Sequence, residues 1–395
     1  MTGDDERSAP ALSQDEKARY ARHLTLPQVG DSGQRRLKDA SVFCVGAGGL
    51  GSPALLYLAA AGIGKITIID DDTIERSNLQ RQILHADASV GESKAASAAS
   101  RLAELNPEVE VITHGERLTS ANALELLRGH DVVIDGTDNI PTRYLINDAC
   151  EILGIPWVYG SIFRFEGQVT VFNHDGGPTY RDLFPNPPPP EVIPSCEEGG
   201  VLGILPGVIG SIQATEALKI ILGLGDLLSG RLLVYDALEM SFRDLTFAAT
   251  TGREPVTELI DYEGFCAGAA AEGSLAALGN SAGGAFPFGE IGPADYLKRR
   301  EQGWNPILLD VRNDIEADIV TLPETEGLIP HEEILLATAS LPRDRDIVFY
   351  CRTGGRSAAA AWALGQSGFE WKRLWNLAGG IHAWSDEVDP AVPKY

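Results

Sequence analysis

Two stretches of this 395-residue chain combine residue types and spacings that could do chemistry. The first is Gly46-Ala47-Gly48-Gly49-Leu50-Gly51. Glycines let a backbone approach an anion closely, and a helix N-terminus aims unpaired N–H groups and a partial positive charge at it. The implied ligand is a nucleotide phosphate, with the base unspecified. Asp70, nineteen residues after Gly51 and at the end of the next apolar run, stands where an acid holds ribose hydroxyls. The second stretch is Cys351-Arg352-Thr353-Gly354-Gly355-Arg356-Ser357. A cysteine at a strand end, a short glycine-containing loop and a helix start point several N–H groups and a helix dipole at the sulfur. Arg352 and Arg356 add positive charge, and together these favour a thiolate or persulfide anion. A lone cysteine is more often a small buried hydrophobe; the loop around this one argues for reactivity instead.

Both stretches need strand–turn–helix units to position them. Ser41-Val42-Phe43-Cys44-Val45 reads as a strand before the first loop, and Ser52-Pro53 as the cap and first position of a helix after it. Lys65 to Ile69 is the next strand. Ser13 with Glu16 resembles a capping box opening a helix through Arg22, and Gln34 to Asp39 reads as a further helix. Ser77-Asn78-Leu79-Gln80-Arg81-Gln82 is a polar segment with one strong cation, and Lys94 opens a helix that ends at Asn106-Pro107. Asp131 to Asp135 reads as a buried parallel strand. Gly136-Thr137-Asp138-Asn139 follows its carboxyl end, the edge at which open α/β sheets bind ligands. Strand signals at Trp157–Ser161, Gln168–Asn173 and Arg231–Tyr235 give this region a mainly β later part. Between them lies Val201 to Leu224, the most apolar long stretch. Gln213, Glu216 and Lys219 share one face of it, which predicts a buried or interface helix rather than a membrane span. Strands at Pro306–Leu309 and Ile347–Tyr350 and a helix at Ser357–Leu364 predict a second, smaller α/β unit.

These signals divide the chain into a polar tail (1–12), a first α/β domain (13–265), an Ala/Gly/Ser-rich linker (266–288) and a second α/β domain (289–395). The net charge of -24 disfavours nucleic acid or an anionic membrane as a partner. The five cysteines show no paired framework, and the polar, acidic start carries no signal-peptide pattern, so a reducing cytoplasm is the expected setting.

A phosphatase-type loop also sets Cys and Arg around a helix N-terminus, but the six residues from Cys351 to Arg356 fit the sulfurtransferase loop length. Residues 13–265 resemble the MoeB/ThiF branch of the ubiquitin-activating superfamily. The matching motifs are Arg19-Tyr20-Ala21-Arg22, the glycine loop, Ser77 to Gln82, Lys94, Thr137-Asp138-Asn139 and Gly199-Gly200-Val201-Leu202-Gly203. Residues 289–395 resemble a rhodanese domain through Asp310-Val311-Arg312 and the Cys351 loop. The fused arrangement is similar to MoeZ-like and MOCS-like adenylyltransferase/sulfurtransferases.

That resemblance implies a Rossmann-like adenylation domain and a two-stage reaction. ATP and Mg²⁺ would activate the C-terminal Gly-Gly carboxylate of a small ubiquitin-fold sulfur carrier. A persulfide on Cys351 would then convert the acyl-adenylate to a thiocarboxylate, for molybdopterin, cysteine, thiamine or thionucleotide synthesis. The persulfide donor would be a cysteine desulfurase or thiosulfate. By the same resemblance Gly46, Gly48, Gly49, Gly51, Asp70, Asn78 and Asn139 would bind the nucleotide. Arg81 and Lys94 would neutralise charge developing on the phosphates. Asp138 would hold Mg²⁺. Arg22 would reach the site of the partner subunit in a homodimer. Cys196 would form a thioester or acyl disulfide with the carrier, although Glu197 and Glu198 disfavour its thiolate.

Two departures from the family pattern stand out. Relatives often carry two CxxC pairs that bind zinc; here those regions read Thr179-Tyr180-Arg181-Asp182 and Thr251 to Val256, so no zinc site is expected. The usual histidine-containing stretch after the first rhodanese strand reads Asp318 to Leu322. Two other functions fit parts of the chain: a nicotinamide-dependent oxidoreductase with a redox-sensing cysteine domain, and a non-catalytic adaptor for ubiquitin-fold proteins.

Overall fold

The computed structural model describes residues 10–187, 200–266, 287–338 and 340–395. Backbone contacts divide the chain into two units, with the first two of these ranges in one and the last two in the other. Cys196 and nearly all of the 266–288 linker lie outside the described residues.

The first unit opens with α1 (Gln14–Arg19). Ser13 Oγ accepts from Glu16 N (3.1 Å) and the Glu16 carboxylate accepts from Ser13 N (2.6 Å), so the capping box forms. The helix does not run on to Arg22. It breaks at Tyr20, and Ala21–Leu24 forms a separate short α2. Tyr20 is buried, and its hydroxyl accepts a hydrogen bond from Asn106 (2.8 Å), which draws this residue out of the helical line. Next, α3 spans Gly30–Asp39, four residues longer than the apolar pattern indicates. Gly33 lies within it against Val29 and Leu222, where a Cβ would approach to 3.0 and 3.2 Å, so close packing overrides glycine's poor helix propensity.

Then come β1 (Ser41–Val45), α4 (Gly51–Ala61), β2 (Lys65–Ile69), α5 (Lys94–Leu105), β3 (Glu110–His114), α6 (Ala123–Leu127), β4 (Val132–Asp135) and α7 (Ile140–Leu153). β5 (Trp157–Phe163), β6 (Glu166–Phe172), α8 (Tyr180–Leu183), α9 (Leu205–Leu222), β7 (Arg231–Asp236) and β8 (Ser241–Thr246) complete the unit. The sheet order is β3-β2-β1-β4-β5-β6-β7-β8. β3 to β5 are parallel, whereas β5 to β8 pair antiparallel, which is the mainly β part expected from the sequence. Strand order reverses between β1 and β4, creating a crevice at their carboxyl ends.

The apolar run 201–224 becomes α9, long and apolar enough by composition to cross a membrane. Here it packs on α4 and β5. Gln213 and Glu216 are buried on it with partners: Gln213 Nε2 donates to Asp135 O (2.7 Å), and Glu216 accepts from Leu228 N (2.8 Å) and pairs with Lys219 (2.6 Å). Buried polar groups that find partners inside the protein mark a core helix, and of this pair only Gln213 Oε1 is left without one among the described residues.

The second unit runs β9 (Gly289–Ile291), α10 (Pro293–Glu301), β10 (Ile307–Asp310), α11 (Asp314–Ile319), β11 (Thr325–Leu328), β12 (Ile347–Tyr350), α12 (Gly355–Gln366), β13 (Leu374–Leu377) and α13 (Gly380–Glu387). Its five strands are all parallel in the order β11-β10-β12-β13-β9. The central strand β12 is buried along its length and delivers Cys351 at its carboxyl end.

Candidate active sites

At the crevice between β1 and β4 the glycine loop makes a tight turn. Gly46 has φ +96°, and a Cβ there would lie 2.8 Å from Gly136 O, the backbone leaving β4. A Cβ on Gly51 would lie 2.1 Å from Gly46 O, so α4 folds directly back onto the turn. For the same reason α4 starts at Gly51, and Ser52 is not its cap; Ser52 Oγ donates to Gly48 O at 2.7 Å. Gly46, Gly48 and Gly49 line the resulting cleft.

Asp70 also lines the cleft, and its two carboxylate oxygens accept from Ala47 N (2.7 Å) and Asp72 N (2.9 Å). It therefore braces the glycine turn as well as facing the ligand space. Burial pushes the Asp70 carboxyl up, against those two N–H groups. Arg81 and Lys94 join the same wall. Ser93 caps α5 and so fixes Lys94 at its first position, where the ammonium meets Asp72 at 2.7 Å. Asp138 is exposed on the cleft wall, and the cap of α7 is Asn139, whose Oδ1 accepts from Thr142 N (3.0 Å). Asn139 thus reaches the cleft with its side-chain oxygen already engaged in the cap.

Three candidates are not among the lining residues, the first being Gly51, which is buried at the start of α4 behind the turn. Asn78 is buried in a 3₁₀ turn, its Oδ1 accepts from Glu75 N (3.2 Å), and it is not among the cleft-lining residues. A short turn that must satisfy its own N–H groups draws the carboxamide inward. Arg22 is exposed on α2, outside the lining of its own chain's cleft.

Among the lining residues that carried no role in the sequence reading are Arg143 and Gln82. Arg143 is buried in the cleft floor: Nε meets Asp135 Oδ2 at 3.3 Å, and Nη2 donates to Thr137 O and Gly160 O, each at 3.1 Å. Asp135, buried at a strand end, needed a counter-charge, and that need was the available signal. Gln82 is 4% exposed and lines the cleft, and its buried Oε1 has no hydrogen-bond partner among the described residues. A polar atom left in this way on a cleft wall fits a site completed by a ligand.

In the second unit, Cys351 is fully buried at the end of β12. Gly354 N donates to its Sγ at 3.1 Å, and Ser357 Oγ lies 3.4 Å from the sulfur while reaching Gly354 O at 3.0 Å. Gly354 has φ +103°, a conformation that favours glycine and turns its N–H onto the sulfur, and α12 begins at the next residue. The loop arginines are anchored. Arg356 forms a bidentate pair with Glu316 (2.7 and 2.7 Å), and Arg352 Nη1 donates to Tyr395 O (3.0 Å). The positive charge expected on the sulfur is therefore offset at Arg356 by a carboxylate, and the backbone dipoles act on Sγ directly. Thr353 and Gly355 complete the loop. Of the other described cysteines, Cys44 and Cys150 are core residues whose thiols burial pushes up, and burial raises Cys266 to about 11.

The sequence pattern of the ThiF family matches residues 20–255, more than half of the chain. The chain belongs to the ThiF family. A rhodanese-like domain matches residues 293–387. The probable adenylyltransferase/sulfurtransferase MoeZ of Mycobacterium tuberculosis is 47% identical over 98% of this chain and 97% of its own length. The adenylyltransferase and sulfurtransferase MOCS3 of Aedes aegypti is 43% identical over 97% of this chain and 90% of its own. Among solved structures, E. coli MccB with ATP shares the fold, with a TM-score of 0.53 at 19% identity over 62% of this chain and 75% of that one. PaaA does so with 0.52 at 22% identity, over 63% and 79%. This ThiF-family chain is an enzyme, an adenylyltransferase and sulfurtransferase that uses ATP.

Within this ThiF domain the two segments where relatives carry zinc-binding cysteines are joined by polar side chains. The Asp182 carboxylate accepts from Thr179 N (2.8 Å), Thr179 Oγ1 (2.9 Å) and Thr250 N (2.8 Å), and Arg253 pairs with it at 3.4 Å. Arg253 also meets Glu151 at 2.9 Å, and Arg181 pairs with Asp148 at 2.7 Å. These residues do not fit a four-thiolate zinc site: neither segment offers a thiolate, and the Asp182 carboxylate is filled by donors.

Proposed function

We propose that the chain activates the C-terminal Gly-Gly carboxylate of a ubiquitin-fold sulfur carrier and then replaces the adenylate with sulfur held on Cys351. The observation that carries this is the presence, on one chain, of a glycine cleft at a switch point and a cysteine whose sulfur receives a loop amide. In the first stage a carrier carboxylate oxygen bonds to the α-phosphorus of ATP and pyrophosphate leaves. The glycine turn offers backbone N–H groups to the phosphates, and Asp70 holds the ribose. Arg81 and Lys94 offset negative charge as it builds on the phosphate oxygens; such preorganised charge is worth several kcal/mol. Asp138 fits Mg²⁺ because its carboxylate is exposed on the cleft wall and not used as the α7 cap. The ion would supply further charge neutralisation there. Arg143 and Asp135 shape the floor.

In the second stage the terminal sulfur of a Cys351 persulfide bonds to the acyl carbon and AMP leaves. A small-molecule thiol then cleaves the S–S bond, releasing the thiocarboxylate and leaving a mixed disulfide on Cys351 that a second such thiol reduces; Cys196 is the residue proposed to hold the carrier as a thioester or acyl disulfide. The Gly354 N–H and the start of α12 stabilise anionic sulfur on Cys351 between steps. A cysteine desulfurase or thiosulfate supplies the sulfur. The working form is a cytoplasmic homodimer in which Arg22 serves the partner subunit's cleft, and it holds no structural zinc.

The test is carrier-dependent exchange of pyrophosphate into ATP, followed by mass measurement of the carrier. Cys351→Ala is expected to keep the exchange and lose the gain of sulfur in place of oxygen. Loss of exchange in a well-folded Cys351→Ala protein would contradict this division of labour.

A further inference from the structure

Of the two arginines that bound the sulfur loop, one bonds to Tyr395 directly and the other reaches it through Glu316. Arg352, the first residue after the cysteine, donates from Nη1 to the main-chain oxygen of Tyr395 (3.0 Å). Arg356, the last residue of the loop, is gripped by Glu316 through two hydrogen bonds of 2.7 Å. The Tyr395 hydroxyl lies 3.4 Å from the same Glu316 carboxylate and accepts from Arg312 Nη1. Arg312 also stacks over the Tyr395 ring at 5.8 Å and is fixed by Asp310, at the end of β10. Val392 is buried in the apolar cluster against which Tyr395 packs, which anchors the segment leading to it. Arg312, Arg352 and Arg356 are each 8% exposed or less. A guanidinium fork held at this depth has few alternative partners, so the loop ends are fixed in space.

We propose that Tyr395 is a positioning residue for sulfur transfer, clamping both ends of the Cys351–Arg356 loop so that the Gly354 amide stays on the sulfur. It touches neither the sulfur nor its donor. This rests on the sulfur-transfer function assigned above. Misplacement of a reacting group lowers the rate of the step more than the binding of its substrate. Tyr395 therefore bears on turnover at Cys351, and adenylation in the first unit is independent of it.

The full-length protein is assayed with inorganic thiosulfate and cyanide. The Cys351 thiolate bonds to the outer sulfur of thiosulfate, and the S–S bond breaks to release sulfite. Cyanide then takes the terminal sulfur as thiocyanate and returns the thiolate. Tyr395→Ala is expected to lower kcat about tenfold with an unchanged KM for thiosulfate. It should also speed hydrogen exchange at the 353–357 amides. Both variants keep the main-chain oxygen that Arg352 meets; Tyr395→Phe also keeps the ring and loses only the hydroxyl, so it is expected to fall between Ala and wild type in both measurements. If Tyr395→Ala does not fold, Tyr395→Phe decides. Wild-type kcat and wild-type exchange in the folded variant overturn the assignment, as does a change confined to KM. A wild-type enzyme that never carries sulfur on Cys351 instead overturns the sulfur-transfer function, an outcome that leaves wild-type and variant indistinguishable in turnover but still separable by exchange.

Discussion

Arg143 brings a full positive charge into the floor of the nucleotide cleft, where Asp135 meets it at 3.3 Å. Both side chains are buried, and burial pushes the Asp135 carboxyl up while the guanidinium opposes it. Removing one member of such a pair strands the other, at a cost of about 3–5 kcal/mol. Arg143→Ala is therefore expected to destabilise the first unit by about that amount. It should also weaken ATP binding, because Thr137 O and Gly160 O lose their shared donor. Urea unfolding and ATP titration of the variant check both effects. Arg143 was hard to see in the sequence because it sits within an amphipathic helix pattern, where an arginine is usually a solvated face. Gly46, Gly51, Asp70, Lys94 and Cys351 were legible because each stands at a strand end or helix start, where backbone direction fixes what a side chain can reach; Arg81, in a turn, was legible only through its motif. Asn78 shows the limit of that logic: its motif is in place, but a 3₁₀ turn claims its carboxamide.

The strongest strand signals came from short apolar runs, which β1, β2 and β12 follow to the residue. β8 went unread because it is an edge strand with five exposed residues in succession, so no alternation marks it. The short helix α8 is tied to the 250–253 segment by polar contacts. Asp182 is the tie, and its carboxyl is held below the usual range. Burial alone would raise it, but N–H donors from Thr179 and Thr250 prevail. The folded protein thus binds this proton less readily than the unfolded chain. The resulting stabilisation is complete above the unfolded value of about 3.9 and disappears as pH falls through the lower folded one. Asp182→Ala is expected to cost about 1–3 kcal/mol at pH 7. The gap to wild type should close in more acid solution, as unfolding curves at pH 7 and near pH 3 would show. A metal chelator is expected to leave the wild-type melting temperature unchanged, since hydrogen bonds and ion pairs join these segments; a chelator-induced drop would mean that a metal does so.

At the scale of the whole molecule, the proposed role of Arg22 in a partner's cleft turns on where its own chain leaves it. Arg22 is exposed on the four-residue helix α2, outside the lining of the cleft, and Thr25 Oγ1 closes the turn on its carbonyl at 2.9 Å. The side chain thus leaves a locally fixed backbone, pointing out from a unit whose own cleft already holds Arg81 and Lys94. In a two-fold dimer, an arginine in such a place would be shared reciprocally, each subunit supplying the other. Arg22→Ala and Lys94→Ala should then each abolish carrier-dependent pyrophosphate exchange alone. In a mixed dimer the Arg22→Ala subunit keeps its own Lys94 and receives Arg22 from its neighbour, so one of the two clefts is whole. Equal amounts of the variants, dissociated and reassociated at random, should recover about one quarter of wild-type exchange, because half of the dimers are mixed and each has one working cleft. If Arg22 acted within its own chain, every cleft in every dimer would lack one of the two cations. The mixture would then stay as inactive as its parts.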